Sequence, residues 1–315
     1  MASAQFETAI VVTRKTELDE LVARFATAPQ ARFYLEHAGQ DFDHIQAAHE
    51  RYKNVLSNVR AAVPRGMKYQ TIDRVSLPQL TFGDDDLVIV VGQDGLVSNT
   101  AKYLSGQPIL GINPDPALYD GVLLPFDSST FGTALKGTLG GEAIIENVTL
   151  ARTKLNDDQE LLAFNDFFVG ASSHVSARYE IRIGDQEEFQ SSSGIIISTG
   201  AGSTGWLQSV YRGAAGVIES LGGRVIPPPN GGRLNWSDEY LVFAVREPFP
   251  SKATETSIVY GTISPDAPLQ ITSHMSNNGV IFSDGIETDY LAFNHGSIAT
   301  IGIAPLKARL VVATH

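Results

Sequence analysis

The fold of the first half of this chain is decided by LVIVVGQDGLVSNTAKYL, the stretch from Leu87 to Leu104. Its first five residues are apolar, which is typical of a buried strand. The tetrapeptide GQDG at residues 92–95 then turns the chain, and the residues after it favour a helix. The next apolar run, PILGIN from Pro108 to Asn113, predicts a further strand. Strand and helix therefore alternate, and we expect a parallel sheet.

The residues before this stretch begin the same alternation. FETAIVV, from Phe6 to Val12, predicts a strand, and TRKTELDELVARF after it has helical spacing and a threonine cap. Between Gly39 and Pro64 the apolar residues recur at helical intervals, with Asp41 or Asp43 as the cap.

After about Phe126 the pattern changes to short strand-like runs separated by turn residues, so we expect the second half to be mostly β. One helix is expected there, from near Ser203 to the glycines at 222–223, and IPPPNGG at 226–232 predicts a loop. We therefore predict an N-terminal α/β domain with a parallel sheet at residues 1–125 and a C-terminal β-rich domain at residues 126–315. An alternative assigns the last strand to the N-terminal domain.

Composition excludes several classes of function. The 315 residues include 35 acidic and 23 basic ones, and the net charge of -12 is unfavourable for binding nucleic acid or anionic lipid. There is no cysteine, which excludes disulfides, thiolate metal sites and a cysteine nucleophile. No apolar span of membrane length and no secretory signal pattern occurs. We expect a cytoplasmic protein with small-molecule partners and neither nucleic-acid nor membrane partners.

The GQDG turn is a candidate phosphate site. Glycine lets the backbone approach a ligand, and the start of a helix offers free N–H groups to an anion. Asp94 is unusual there, because a carboxylate repels phosphate unless it accepts a proton or holds a cation. The alternative is an ordinary turn in which Asp94 caps the helix.

A second candidate is GIIISTGAGSTGW, where a strand leads into glycine and hydroxyl residues and then a helix. Residues 200–205 match the dinucleotide pattern GxGxxG. We discount that fingerprint, because Glu219 lies within the helix and a proline loop follows where the next strand is required. The hydroxyl groups still favour an anion and ribose cradle.

The third candidate is Asn165-Asp166, which interrupts the apolar run LLAFNDFFVG. Two adjacent polar residues in a buried strand are unfavourable without partners. Either a bulge or a ligand contact explains them.

Taken in their order along the chain, the three segments resemble the signatures of the NAD kinases, which are a GGDG turn, an Asn-acid pair and a STPTGSTAY-like loop. GINPDPALY, from Gly111 to Tyr119, and FSDG, from Phe282 to Gly285, resemble two further segments of that family. The resemblance covers most of the chain. It implies the fold shared by NAD kinases and diacylglycerol kinases, which agrees with the α/β and β-rich domains predicted above.

The resemblance also implies an activity, the ATP-dependent phosphorylation of the 2′-hydroxyl of the adenosine ribose of NAD(H) to give NADP(H). Asp94 would be the general base, and Asn165-Asp166 would hold the dinucleotide. The implied donor is ATP or polyphosphate with Mg²⁺, and the implied assembly is a homodimer or tetramer. We assign no side chain as a metal ligand. The implied phosphate- and nucleotide-binding residues are Gly92, Gln93, Gly95, Asn113, Tyr119, Asn165, Asp166, Ser198, Thr199, Gly202, Ser203, Thr204, Trp206 and Asp284.

Departures from the family pattern leave two alternatives open. Serines at 191–193 stand where the family has a charged residue and an Asp near the nicotinamide end, which favours a kinase for a sugar, nucleoside or lipid. Gln93 replaces the second glycine of GGDG, and its side chain could crowd the donor phosphates. That substitution favours a nucleotide-binding sensor without turnover.

Overall fold

The computed structural model describes residues 6–314, and within them the chain forms two compact units. Unit 1 comprises the chain as far as Glu146 together with the final segment from Arg309. Unit 2 comprises Asn147–Ala308. The chain therefore passes from one unit to the other twice.

The helices and strands of the described residues are as follows. The strands are β1 (Thr8–Thr13), β2 (Lys68–Asp73), β3 (Asp86–Val91), β4 (Pro108–Ile112), β5 (Ala143–Leu155), β6 (Glu160–Ala163), β7 (Asp166–Ala171), β8 (Ala177–Ile183), β9 (Gln186–Ser192), β10 (Ile195–Ser198), β11 (Leu241–Val245), β12 (Tyr260–Ile263), β13 (Leu269–Ser273), β14 (Gly279–Ser283), β15 (Tyr290–Ala292) and β16 (Ile298–Thr314). The α-helices are α1 (Glu17–Phe25), α2 (Ala28–His37), α3 (Phe42–Ala62), α4 (Asp94–Ala101), α5 (Phe131–Gly140) and α6 (Trp206–Ser220). Short 3₁₀ turns lie at Arg74–Gln79, Ala201–Thr204 and Pro229–Gly232.

Unit 1 contains the predicted parallel sheet. Its strand order is β2-β1-β3-β4, every pair is parallel, and Arg309 and Leu310 of β16 continue it beside β4. Tyr52, Val55 and Val59 of α3 join the core formed with β1, β3 and β4. The chain leaves β1 to one side for β2 and returns on the other side for β3. A switch of direction of this kind opens a ligand site at the carboxyl ends of the two strands.

The predicted helices α1, α3 and α4 are confirmed, with Thr16 capping α1 and Asp41 capping α3. The expectation of a single helix after Phe126 is wrong, because α5 forms at residues 131–140. This segment is rich in glycine and weak in helix propensity, but Phe131, Ala134, Leu135 and Thr138 are buried at helical spacing. Burial in the core therefore overrides propensity. The amphipathic pattern of α2 is weak, and we did not predict that helix.

Unit 2 is built from two packed sheets. One is wholly antiparallel, in the order β12-β11-β10-β7-β14-β15. The other contains β13, β8, β9 and the first part of β16, with β5 and β6 beside it. Their facing side chains form one apolar core, including Phe167 and Phe243 from the first sheet and Tyr179 and Ile271 from the second. The predicted fold class, an α/β part and a β-rich part, is confirmed.

The six-stranded sheet also bears on the GxGxxG match. β10, the strand before it, is antiparallel to both of its neighbours, β7 and β11. A dinucleotide fingerprint requires a parallel βαβ unit, so discounting it was correct.

Across residues 6–314, no helix combines the length and the apolar composition needed to cross a bilayer.

Candidate functional site

In unit 2, antiparallel pairing brings three of the sequence motifs to one edge of the six-stranded sheet. β7 lies between β10 and β14, with Ser198 opposite Asp166 and Ser283 opposite Phe167. The ends of β10 and β14 therefore adjoin the start of β7. We call the residues that extend from there the motif edge, which comprises Asn165, Asp166, residues 198–204 and Asp284.

Asp284 binds the backbone of the Asn-Asp motif. Its carboxylate accepts hydrogen bonds from the backbone N–H groups of Phe164 at 3.1 Å, Asn165 at 2.6 Å and Asp166 at 3.4 Å. The N–H of Asp284 in turn donates to the carbonyl of Asp166 at 3.0 Å. Asp284 has a φ of 54°, in the left-handed region, which Asp tolerates better than most residues. One carboxylate thus sets the turn between β6 and β7.

Thr199 holds the same turn by donating hydrogen bonds to the carbonyl groups of the turn. Its hydroxyl donates to the carbonyl of Phe164 at 2.6 Å, and its N–H donates to the carbonyl of Asn165 at 2.9 Å. The predicted cradle hydroxyls therefore have structural partners. Ser203 Oγ also bonds to backbone, to the carbonyl of Gly200 and the N–H of Leu234, while Thr204 is exposed. Ser198 is buried and donates to a carbonyl as well.

Gly202 lies where this framework leaves no room for a side chain. A Cβ at Gly202 would lie 2.1 Å from the carbonyl oxygen of Asn165. We expect Gly202→Ala to destabilise the protein by about 1–3 kcal/mol, because the turn must move. Gly213→Ala in α6, where a Cβ meets nothing within 4 Å, is the matched control and should stabilise by about 0.5–1 kcal/mol. Denaturant unfolding of both variants measures the difference; equal stability would contradict the close approach.

Asp166 is the buried acid of the motif edge. It is 9% exposed. Burial, and secondly the charge of Asp284, raise the pKa of Asp166 to about 7. A carboxyl group can hydrogen-bond to a ligand hydroxyl or accept a ligand N–H, so Asp166 is a candidate binding residue. The side chain of Asn165 is half-buried beside it.

An aromatic cavity of about 610 Å³ also lies in unit 2. Phe168 stacks on Trp206 with ring centroids 5.9 Å apart, and on Phe282 at 5.0 Å. The Arg246 guanidinium lies 5.5 Å from the Trp206 ring centroid, and the exposed Ser193 also lines the cavity. Its volume falls within the range of small-molecule pockets, and its stacked rings can pack against a planar ligand group.

Unit 1 contains a second cavity, of about 460 Å³, at the carboxyl ends of β1 and β3. Arg14, Lys15 and Thr16 after β1 line it, as do Gln93 after β3 and Tyr119. This is the position at which the strand order of the sheet changes direction, where α/β sheets bind ligands. We call it the strand-end cavity.

Arg14 is a candidate binding residue that the sequence analysis missed. Its Nε atom is buried and has no hydrogen-bond partner among the described residues, and its Nη2 donates to the Tyr119 hydroxyl at 3.4 Å. An arginine with an unused buried donor favours an anionic ligand. The available signal was its place in the sequence, because Arg14-Lys15 directly follows the first parallel strand.

Asp94 begins α4 but does not cap it. The cap residue is Gln93, which makes no side-chain cap bond, so the alternative of Asp94 as helix cap is wrong. The Asp94 carboxylate instead accepts N–H groups of the following loop, from Leu123 at 2.8 Å and Val122 at 3.3 Å. It is half-buried. Gly92 is buried at the end of β3, and Gly95 is exposed on the first turn of α4.

Asn113 organises the loop after β4. Its Nδ2 donates to the carbonyl of Tyr119 at 2.9 Å, and its Oδ1 accepts the N–H of Asp115 at 3.0 Å. Asn113 is buried, whereas the Tyr119 side chain lines the strand-end cavity. Of this predicted pair, Tyr119 is therefore the one placed at a cavity.

Comparison with known proteins gives curated relatives but no matching family model. The chain is 25% identical over 242 residues to a probable NADH kinase of Oryza sativa subsp. japonica, covering 69% of this chain and 68% of that protein. It is 29% identical over 182 residues to an NAD kinase of Shewanella halifaxensis, covering 55% and 56%. It thus spans about half the length of that second relative.

Two solved structures share the fold across nearly the whole chain. An NAD kinase from Archaeoglobus fulgidus, determined in complex with ATP, has a TM-score of 0.54 at 18% identity and covers 96% of this chain and 93% of its own. Yeast NADH kinase, complexed with NADH, has a TM-score of 0.58 at 15% identity and covers 98% and 84%. At these identities the likeness concerns the fold alone.

Proposed function

We propose that this chain is a divergent member of the NAD kinase family, and that it transfers phosphate from ATP to the 2′-hydroxyl of the adenosine ribose of NAD(H). One observation carries the proposal. The motif edge forms a single hydrogen-bonded framework around Asn165 and the buried acid Asp166. A buried acid whose pKa is raised can both donate to and accept from a ligand hydroxyl group.

In the proposed reaction the ribose oxygen attacks the γ-phosphorus of ATP, and the bond to the bridging oxygen of ADP breaks. Asp94 accepts the hydroxyl proton. Each of its carboxylate oxygens accepts one N–H of the loop and has a second lone pair that can take this proton. The start of α4 stabilises the phosphate charge through its free N–H groups and its dipole. Most of the rate enhancement comes from alignment and charge neutralisation, as in other phosphoryl transfers.

We assign the donor phosphates to the strand-end cavity. Arg14 supplies a buried, unpartnered N–H donor there, and Lys15 a second positive charge. Gln93 is one of the residues that line this cavity, whose whole volume is about 460 Å³. That volume argues against the crowding expected from a side chain at this position.

Mg²⁺ enters this proposal with the nucleotide. Within residues 6–314 no three acids or histidines cluster closely enough to hold a metal ion. Mg²⁺ is usually held by substrate phosphates, water and one or two carboxylates, so the family chemistry does not require a protein cage. Mg²⁺ would neutralise the donor phosphates when it is bound.

The dinucleotide is assigned to unit 2. Asn165 and Asp166 would hydrogen-bond to the adenosine part, and the aromatic cavity beside Trp206 would pack against one ring system of the dinucleotide. The carboxyl of Asp166 and the stacked rings support a dinucleotide over a lipid acceptor. The homo-oligomer and the cytoplasmic location expected from the sequence stay predictions.

Incubation of the protein with Mg²⁺, NAD or NADH, and ATP or polyphosphate tests the proposal, with the product assayed by an NADP-specific dehydrogenase. We expect NADP(H) with at least one donor. No product with any donor, together with thermal stabilisation by a sugar or nucleoside and not by NAD, would assign a different acceptor. Stabilisation by NAD without product, unchanged in Gln93→Gly, would indicate a sensor. Product formed only by Gln93→Gly would show that crowding blocks the donor.

A further inference from the structure

We propose that Asp284 is a positioning residue, which sets the orientation of Asn165 and Asp166 through their backbone and does not itself contact the nucleotide. The choice of NAD as the ligand in the test below rests on the proposed function. The geometric part of the inference does not, since it concerns the turn between β6 and β7 alone.

Strand pairing is interrupted between β6 and β7. β6 ends at Ala163 and β7 begins at Asp166, so the residues between them lie outside both strands. Three successive N–H groups, those of residues 164–166, converge on the Asp284 carboxylate. Convergent amides of this kind form an anion-binding nest. Here the protein's own carboxylate fills the nest, so each of these amides has its obligatory acceptor.

Asp284 is itself held in place by contacts with β7. Ser283 pairs with Phe167 at the end of β14, and the N–H of Asp284 donates to the carbonyl of Asp166. Asp284 and Gly285 both have positive φ, 54° and 70°, which turns the chain back so that the carboxylate reaches the amides. The clamp is therefore reciprocal, and a small shift of either residue moves the other.

Thr199 holds the opposite side of the turn. The Thr199 hydroxyl donates to the carbonyl of Phe164, and the Thr199 N–H donates to the carbonyl of Asn165. With the amides held by Asp284 and the carbonyls held by Thr199, the backbone of Asn165 is fixed from both sides. The direction of the Asn165 and Asp166 side chains follows from that backbone. A displacement of about 1 Å at such a site can cost on the order of 10²-fold in function.

Asp284→Asn tests the inference, because the amide presents one oxygen and one NH₂ group to three N–H donors. We expect the KM for NAD to rise roughly 10- to 100-fold, and the KM for ATP to stay within about twofold. Amide hydrogen exchange without nucleotide should show lost protection at residues 164–166. Asp158→Asn is the matched control, since Asp158 also has a positive φ, 67°, but lies in an exposed turn bonded to Lys154. It should change neither KM.

Asp284→Glu keeps the charge and moves it by one methylene, which secures the test if the Asn variant does not fold. It should raise the KM for NAD by an intermediate amount. An unchanged KM for NAD in the folded variants overturns the inference, as does an equal rise in both KM values. Wild-type protection of amides 164–166 in Asp284→Asn overturns it even if the protein makes no NADP, so failure of the proposed function is distinguished from failure of the clamp.

Discussion

Replacing Asp94 with Asn is expected to lower kcat for NADP formation by about 10²- to 10⁴-fold, the usual contribution of a general base. The Asn side chain cannot take the hydroxyl proton. Its oxygen can still accept the N–H of Leu123, the shorter of the two loop contacts, so the loop after β4 should keep its conformation. The KM values for NAD and ATP should change by less than about threefold. Steady-state kinetics with the NADP-specific assay measures both quantities.

Asp120→Asn is the control for this experiment, because Asp120 is an exposed acid of the same loop. It should retain wild-type kcat. If Asp94→Asn also kept wild-type kcat, the general-base assignment would be wrong. A large loss of thermal stability in Asp94→Asn alone would instead assign the carboxylate to the support of the loop.

Replacing Asp166 with Asn is expected to stabilise the protein at pH 8 while weakening its binding of NAD. The pKa of Asp166 is raised from 3.8 to about 7, so the folded state holds a proton that the unfolded state releases. The favourable contribution of Asp166 to the free energy of unfolding is therefore fully present below about pH 4, and it is lost as the pH rises through 7. The loss amounts to at most roughly 4 kcal/mol. Asn carries no such penalty, and the variant should unfold at the same denaturant concentration as wild type near pH 4 but at a higher one at pH 8.

Asp127 provides a control of opposite sign. Hydrogen bonds from Ser129, and further ones from Thr130, lower the pKa of Asp127 to about 2, since they favour the charged form more than its slight burial opposes it. Its contribution to stability is therefore present above about pH 4, and Asp127→Asn should be less stable than wild type at pH 8. If the stability difference between Asp166→Asn and wild type did not vary with pH, the carboxyl would be solvated and its role as a buried ligand group would fail. Isothermal titration with NAD measures the binding loss.

The positions of the motifs could be predicted from the sequence because each one follows or precedes an apolar run. β3 before GQDG and β10 before STGAGST are buried strands of this kind, and the parallel sheet of the first half and the β-rich second half were predicted from such runs. The partner of each motif could not be predicted. Asp284 lies 118–120 residues from the amides it binds, and only the register of β14 on β7 brings them together.

The roles of the hydroxyl groups were also beyond the sequence. Thr199 and Ser203 read as a ribose cradle, yet both are buried and bind backbone groups. The direction of a side chain after a strand depends on the loops that pack around it, here the turn at Asn165 and the segment at Leu234. Arg14 was missed for a related reason, because the orphaned Nε is visible only once Tyr119 and the loop after β4 are in place.

The course of β16 has a practical consequence for dissecting this protein. A fragment cut after Glu146 would lack Arg309 and Leu310, which pair with Pro108 and Ile109 of β4. That fragment would present the backbone of an apolar strand to solvent, and open edges of this kind recruit strands from other molecules. A soluble fragment that contains unit 1 therefore requires the terminal strand to be joined to it through a short linker. A simple truncation after Glu146 should precipitate.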